Sequence, residues 1–179
     1  YFKHGYANSG HVVEFRYGSH WAQHCRLTNT AIINYNPPNL GVDYKWISLY
    51  GKYNRVDHCY LEGKTHTGTT LVVWLSGEPN YHRIDHNHFG PRPPLGRNEG
   101  ETIRIGTSSY SMSDSYTIVE KNFFENCNGE IEIISNKSCE NIYRYNTFYE
   151  CEGSLTLRHG NKCTVEGNFF FGNGNNLAG

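Results

Sequence analysis

The chain has 179 residues, of which 37% are hydrophobic, 15% aromatic and 18% charged, with a formal charge of −1 from 16 Lys+Arg against 17 Asp+Glu. That length buries one core, the balanced charge supplies no field for nucleic acid or an anionic membrane, and no apolar run of about 18 residues spans a bilayer. Twenty Asn and 19 Gly beside one Met exclude a helical bundle and favour short strands joined by many turns.

In chain order, residues 27–32 are a faint first copy of a motif, apolar-x-x-Asn-x-Phe, and residues 34–41, with Pro37-Pro38, then leave the pattern. A second weak copy is 56–61, followed by the alternating strand 70–74 and a clear copy at 84–89. Three prolines and three glycines in 90–101 predict a loop that cannot continue a sheet ladder. The strand 102–105 precedes a Ser-rich excursion, 106–115, and a third motif copy, 119–124. Strand 130–133, motif 143–148, strand 154–158 and motif 165–170 complete the series. Successive motifs begin 29, 28, 35, 24 and 22 residues apart.

A repeat of that length, rich in Asn and Phe and alternating every two residues between motifs, predicts a right-handed parallel β-helix over 1–179. Each turn then buries its apolar face against the next. Phe124, Phe148 and Phe170 are expected to stack in the core, and Asn122, Asn146 and Asn168 to bond one another at an inner bend. Six or seven turns without a recognisable cap at either end read as an incomplete segment. The absence of an initiator Met or signal peptide agrees with a mature protein or an internal piece, which leaves secretion open.

Cys127, Cys139, Cys151 and Cys163 fall 12 residues apart, and Cys25 and Cys59 precede them. Half of a 24-residue turn is the simplest account of that spacing, with Cys127 near Cys151 and Cys139 near Cys163 as buried free thiols. Disulfides or a metal site are the alternatives.

Glu130 and Glu132 are two apart on one strand, so both are expected to point outward while Ile131 and Ile133 point in. The repeat places Arg104 opposite Glu132. Either an arginine neutralises the pair, or a hard cation is held with an oxygen from Asn98. Lys137 closes that strand, and Arg158 with His159 closes the matching strand one turn later, giving a mixed face suited to an acidic, hydroxyl-rich polymer. His82, His86 and His88 alternate but have no carboxylate at fixed spacing.

Three ordered segments, 97–106, 128–138 and 157–161, together resemble polysaccharide lyase family 6, which contains alginate lyases and chondroitinase B. The resemblance implies a parallel β-helix, Ca²⁺ bound by Asn98, Glu130 and Glu132, Lys137 as general base, Arg158 at the leaving glycosidic oxygen and His159 as a substrate contact. Glu99 stands where the family carries glycine and is an additional candidate ligand. Arg104 and Tyr110 are further candidate substrate contacts, as is Trp74. The implied reaction is Ca²⁺-assisted β-elimination in a 4-linked uronan, most closely alginate, by a secreted or periplasmic bacterial enzyme. Removing the C5 proton needs neutralisation of the adjacent carboxylate and an unprotonated Lys137, so an alkaline optimum is expected. The alternatives are a dermatan or chondroitin lyase, a non-catalytic carbohydrate-binding β-helix, or hydrolysis by Glu130 and Glu132 at a separation of about 6.5–7 Å.

Overall fold

The computed structural model describes residues 1–7, 10–172 and 174. Three parallel sheets run the length of a right-handed coil, each receiving one strand per turn. The first contains His11–Glu14, Lys45–Leu49, Leu71–Val73, Ile103–Gly106, Glu132–Lys137 and Ser154–His159. The second runs from Arg26–Thr28 through Arg55–Asp57, Arg83–Asp85, Ile118–Glu120 and Ile142–Arg144 to Thr164–Glu166. The third carries the motif phenylalanines, from Phe2–Lys3 to Phe169–Phe171. An antiparallel pair, Arg16–Tyr17 with His20–Trp21, is an addition the repeat did not foretell.

Apolar residues of equal turn position stack. Ile47, Leu71, Ile103 and Ile134 form one buried column and Phe89, Phe124 and Phe148 another; Phe170 continues the stack of near-parallel rings 4.4–4.9 Å apart but, on the last turn, is 56% exposed rather than in the core as expected. Removing each buried phenyl ring from water contributes about 1.5–3 kcal/mol. The inner bend is held by a continuous amide ladder. Asn87 Nδ2 donates to Asn122 Oδ1, Asn122 to Asn146 and Asn146 to Asn168, each at 2.9–3.0 Å. The same Oδ1 atoms accept the backbone N–H of the preceding ladder residue, so bend donors that would be orphaned are satisfied. The ladder starts at Cys59, whose N–H donates to Asn87 Oδ1.

On the second sheet the outward columns are ion pairs. Arg26 binds Asp57 and Arg55 binds Asp85, each through two nitrogens, while Arg83 and Arg144 both hold Glu120. These carboxylates are buried, and the guanidinium partners hold the Asp57, Asp85 and Glu120 carboxyls below the usual range against the opposing effect of burial.

All six cysteines are free thiols. Cys151 Sγ accepts the Cys127 N–H at 3.4 Å, as the 24-residue spacing implies. Cys139 differs from expectation: its Sγ accepts the N–H of Asn161, because the last turn is 22 residues long here and Cys163 falls beyond it. The loop predicted over 90–101 also leaves the stack later than its prolines imply. Arg92 bridges to Cys127, and Leu95 N–H still donates to Gly129 O. No helix among the described residues is long and apolar enough to cross a membrane.

Candidate active site

The outer face of the first sheet gathers the chemistry. Its register corrects the sequence reading by three residues: Ile103 pairs with Ile134, and Arg104 with Ser135 rather than Glu132. The cause lies at the strand entrance. Ile133 and Ile134 both point into the core, as Trp46 and Ile47 do three rungs earlier in the sheet order, and Ile131 is 81% exposed rather than inward. A regular two-residue alternation therefore fails at the bend, and a register shift between Glu132 and Ile134 marks the place.

The true register brings Glu101 beside Glu132. Carboxylate oxygens of Glu101, Glu130 and Glu132 all lie within 4.8 Å of one another. That is closer than the separation of an inverting hydrolytic pair, about 6.5–9.5 Å, so the inverting spacing expected from strand rise is not what the cluster shows. Glu130 Oε2 accepts the Gly100 N–H at 2.9 Å, and burial, with Glu101 and Glu132 close by, raises the Glu130 carboxyl above its usual range. Glu101 Oε2 is buried without a hydrogen-bond partner. Two bare backbones make this approach possible: a Cβ on Gly100 would stand 2.3 Å from Gly129 O, and one on Gly129 2.2 Å from Gly100 O. Three hard oxygen donors with one orphaned and one raised carboxyl fit a divalent cation such as Ca²⁺.

Asn98 is exposed and lines, with Glu130, Arg97, Asn128 and Ile131, a cavity of about 510 Å³ beside this cluster. Glu99 is exposed, with φ of +74°; its carbonyl accepts the N–H of Gly68. Glu101 is the acid that sequence reasoning missed. It was legible in the segment 97–106, but only a correct register shows which rung it faces.

Beneath the cluster lies Arg92, also missed. Its guanidinium is buried and donates to the carbonyls of Glu101 at 2.7 Å, Gly68 at 2.8 Å and His66 at 3.2 Å. Burial lowers it to about 10. Lys64 is buried alongside, its Nζ donating to the carbonyls of His66, Thr67 and Gly68.

Lys137 ends its strand on the same outer face, partly exposed, with Gly106 before it and His159 after it as in-register partners. Arg158 is the extra residue of a bulge between the pairs Asn136–Leu157 and Lys137–His159, and its Nη1 lies 3.4 Å from Glu132 Oε2. An arginine does neutralise a carboxylate here, but it is Arg158 and not Arg104. Under Lys137, buried Asn136 donates to Ser138 O and His159 O and accepts from Asn141 and the Tyr143 hydroxyl. This network ties the two strand ends that present Lys137 and His159. Tyr110 sits 42% exposed on the 3-10 turn Ser108–Tyr110, packed beside Gly77.

The fold and site together are a parallel β-helix that carries an acid cluster, a lysine and an arginine on one flank. Residues 1–178 match the chondroitinase B family model. Among solved structures, the PL6 family alginate lyase AlyGC is 52% identical over 98% of this chain, with a TM-score of 0.96. A mannuronic acid specific family 6 lyase from human gut microbiota is 44% identical over 93%, with a TM-score of 0.91. A PL6 alginate lyase solved with a trisaccharide is 32% identical over 86%, with a TM-score of 0.80. The chain belongs to polysaccharide lyase family 6. It spans 25%, 39% and 35% of those three proteins' chains, respectively. No curated protein matches it.

Proposed function

We propose that this protein cleaves a 4-linked uronan, alginate before dermatan sulfate, by β-elimination. The observation that carries the reading is the meeting of Lys137, Arg158 and His159 with the Glu101, Glu130 and Glu132 cluster on one outer face. The three relatives, all alginate or mannuronate lyases, support alginate over dermatan.

In this reading Lys137 Nζ takes the C5 proton, electrons move into a C4–C5 double bond and the C4–O bond breaks. The departing oxygen takes a proton from solvent. Arg158 places a permanent positive charge at that oxygen, because its guanidinium keeps its proton. His159, level with Lys137, contacts the same sugar. A Ca²⁺ ion held by Glu101, Glu130 and Glu132, with Asn98 at the rim, supplies neutralisation of the uronate carboxylate, which makes C5 more acidic. Polymers of this kind do not cross membranes unaided, so the reading carries secretion or a periplasmic location with it.

The test is ultraviolet absorbance of the conjugated unsaturated uronate. It is expected to grow when alginate is added. No growth with alginate and none with dermatan sulfate removes the reading.

A further inference from the structure

Eight of the nine arginines have a carboxylate or carbonyl partner among the described residues, and Arg104 is the exception. Its Nε is buried without a hydrogen-bond acceptor, and its guanidinium carbon rests 5.6 Å from the ring centroid of Trp74. The contrast with the second sheet is physical. There, the stacked Arg26, Arg55 and Arg83 each reach the acid of the next rung, Asp57, Asp85 and Glu120, and are neutralised. The rungs on either side of Arg104 carry Val72 and Ser135, with Ser48 and Thr156 beyond them, and the first anion in the column, Glu14, lies three rungs away and is paired with Arg16.

The surroundings point the same way. Trp74 is fixed from its other side by Tyr50, stacked at 5.7 Å and 11°. Lys45 Nζ adds a second cation 5.7 Å from the Trp74 ring, although Asp43 pairs with it. Trp74 Nε1 and Ser135 Oγ are also buried without partners. One column along, Trp74 is followed by Gly106 and then Lys137, so a position without a side chain separates the indole from the lysine. Arg104 and Lys137 stand on adjacent strands, about 4.8 Å apart in the hydrogen-bonding direction. A reserved guanidinium, planar and held on an indole, matches a carboxylate in fork geometry.

We propose that Arg104 is the subsite that reads the carboxylate of the hexuronate next to the one at Lys137, and that Trp74 is its positioning residue. This rests on the uronan reading of the site. It is distinct from the acid cluster and from Arg158, which are already paired with one another.

The experiment measures calorimetric binding of saturated mannuronate pentamer, and of its methyl-esterified form, to the full chain carrying Lys137→Ala, which removes turnover from the measurement. Adding Arg104→Gln is expected to weaken the acidic pentamer roughly ten- to hundredfold and to leave the ester unchanged. Trp74→Leu is expected to weaken it similarly and Trp74→Phe to restore most of the loss, with thermal melting confirming that each variant folds. Equal binding of the acidic pentamer with and without Arg104→Gln overturns the proposal, as does an equal loss for acid and ester. A protein that binds in this Arg104-dependent way yet gives no unsaturated product from alginate keeps the subsite and loses the lyase reading. Absence of any pentamer binding overturns the subsite whatever the product assay gives.

Discussion

Lys137 and His159 are in-register partners on adjacent strands, and the one extra residue that the second strand carries before reaching that register is Arg158, which leans back onto Glu132. A single bulge therefore decides that Lys137, His159 and Arg158 share one flank. The buried side chain of Asn136 fixes the backbone on both sides of it, through Ser138 O and His159 O.

Lys137→Ala is expected to abolish turnover on alginate, with a loss of at least about 10²-fold, the usual contribution of a general base. Oligouronate affinity, measured calorimetrically, should change by less than about tenfold, since the carboxylate contacts stay in place. A variant that loses binding and turnover together contradicts the assigned role.

Glu130 gives a test of the acid cluster. Its folded carboxyl is raised, so the stability associated with its protonation is present below the ordinary glutamate value and is lost as pH rises through the raised folded value. Glu130→Gln should therefore raise the melting temperature of chelator-treated protein at pH 7. Calcium at about 100 times its Kd should stabilise the unaltered protein by about 2.7 kcal/mol, and this response should be reduced or absent in the variant. An unchanged calcium shift would count against a cation at this place.

His82 predicts an acid limit. Its Nδ1 accepts the Asn54 N–H, its Nε2 is buried without a partner, and burial lowers it to about 3. Because the folded value lies below the unfolded value of about 6.5, the stabilisation is complete above 6.5 and is lost as pH falls from there toward 3, at up to about 1.4 kcal/mol per pH unit. His66 is likewise lowered to about 3 and adds to the slope. His82→Gln should flatten the pH dependence of urea unfolding between pH 6 and 4.5, where the arginine-paired Asp57, Asp85 and Glu120, held below the usual carboxyl range, remain ionised.

Asn122→Ala should cost about 3 kcal/mol in urea unfolding. It removes the acceptor of the Asn87 N–H and the donor to Ile84 O and leaves both groups buried. The same change at Asn168, near the end of the described coil and partly exposed, should cost less. Equal losses at the two positions would contradict a cooperative amide ladder.

The repeat was legible in the sequence because its cause is local. The Asn of each motif satisfies a bend, the Phe two residues later stacks with its counterparts, and both recur once per turn. The spacing of Cys127 and Cys151 followed from the same count, whereas Cys139 missed Cys163 because turn length changes near the end. Lys137, Arg158, Glu130 and Glu132 were identifiable as chemistry through ordered segments that resemble a family.

What only the tertiary structure decided was which rung faces which. Alternation cannot announce that Ile133 and Ile134 both turn inward at a bend, since that depends on the space inside the coil and not on either residue's polarity. From that one irregularity follow the placement of Glu101 beside Glu132 and the transfer of Arg158 onto Glu132. The same slip leaves the guanidinium of Arg104 without an anion. Residue types set which contacts are favourable, while the geometry of stacked turns sets which of them are made.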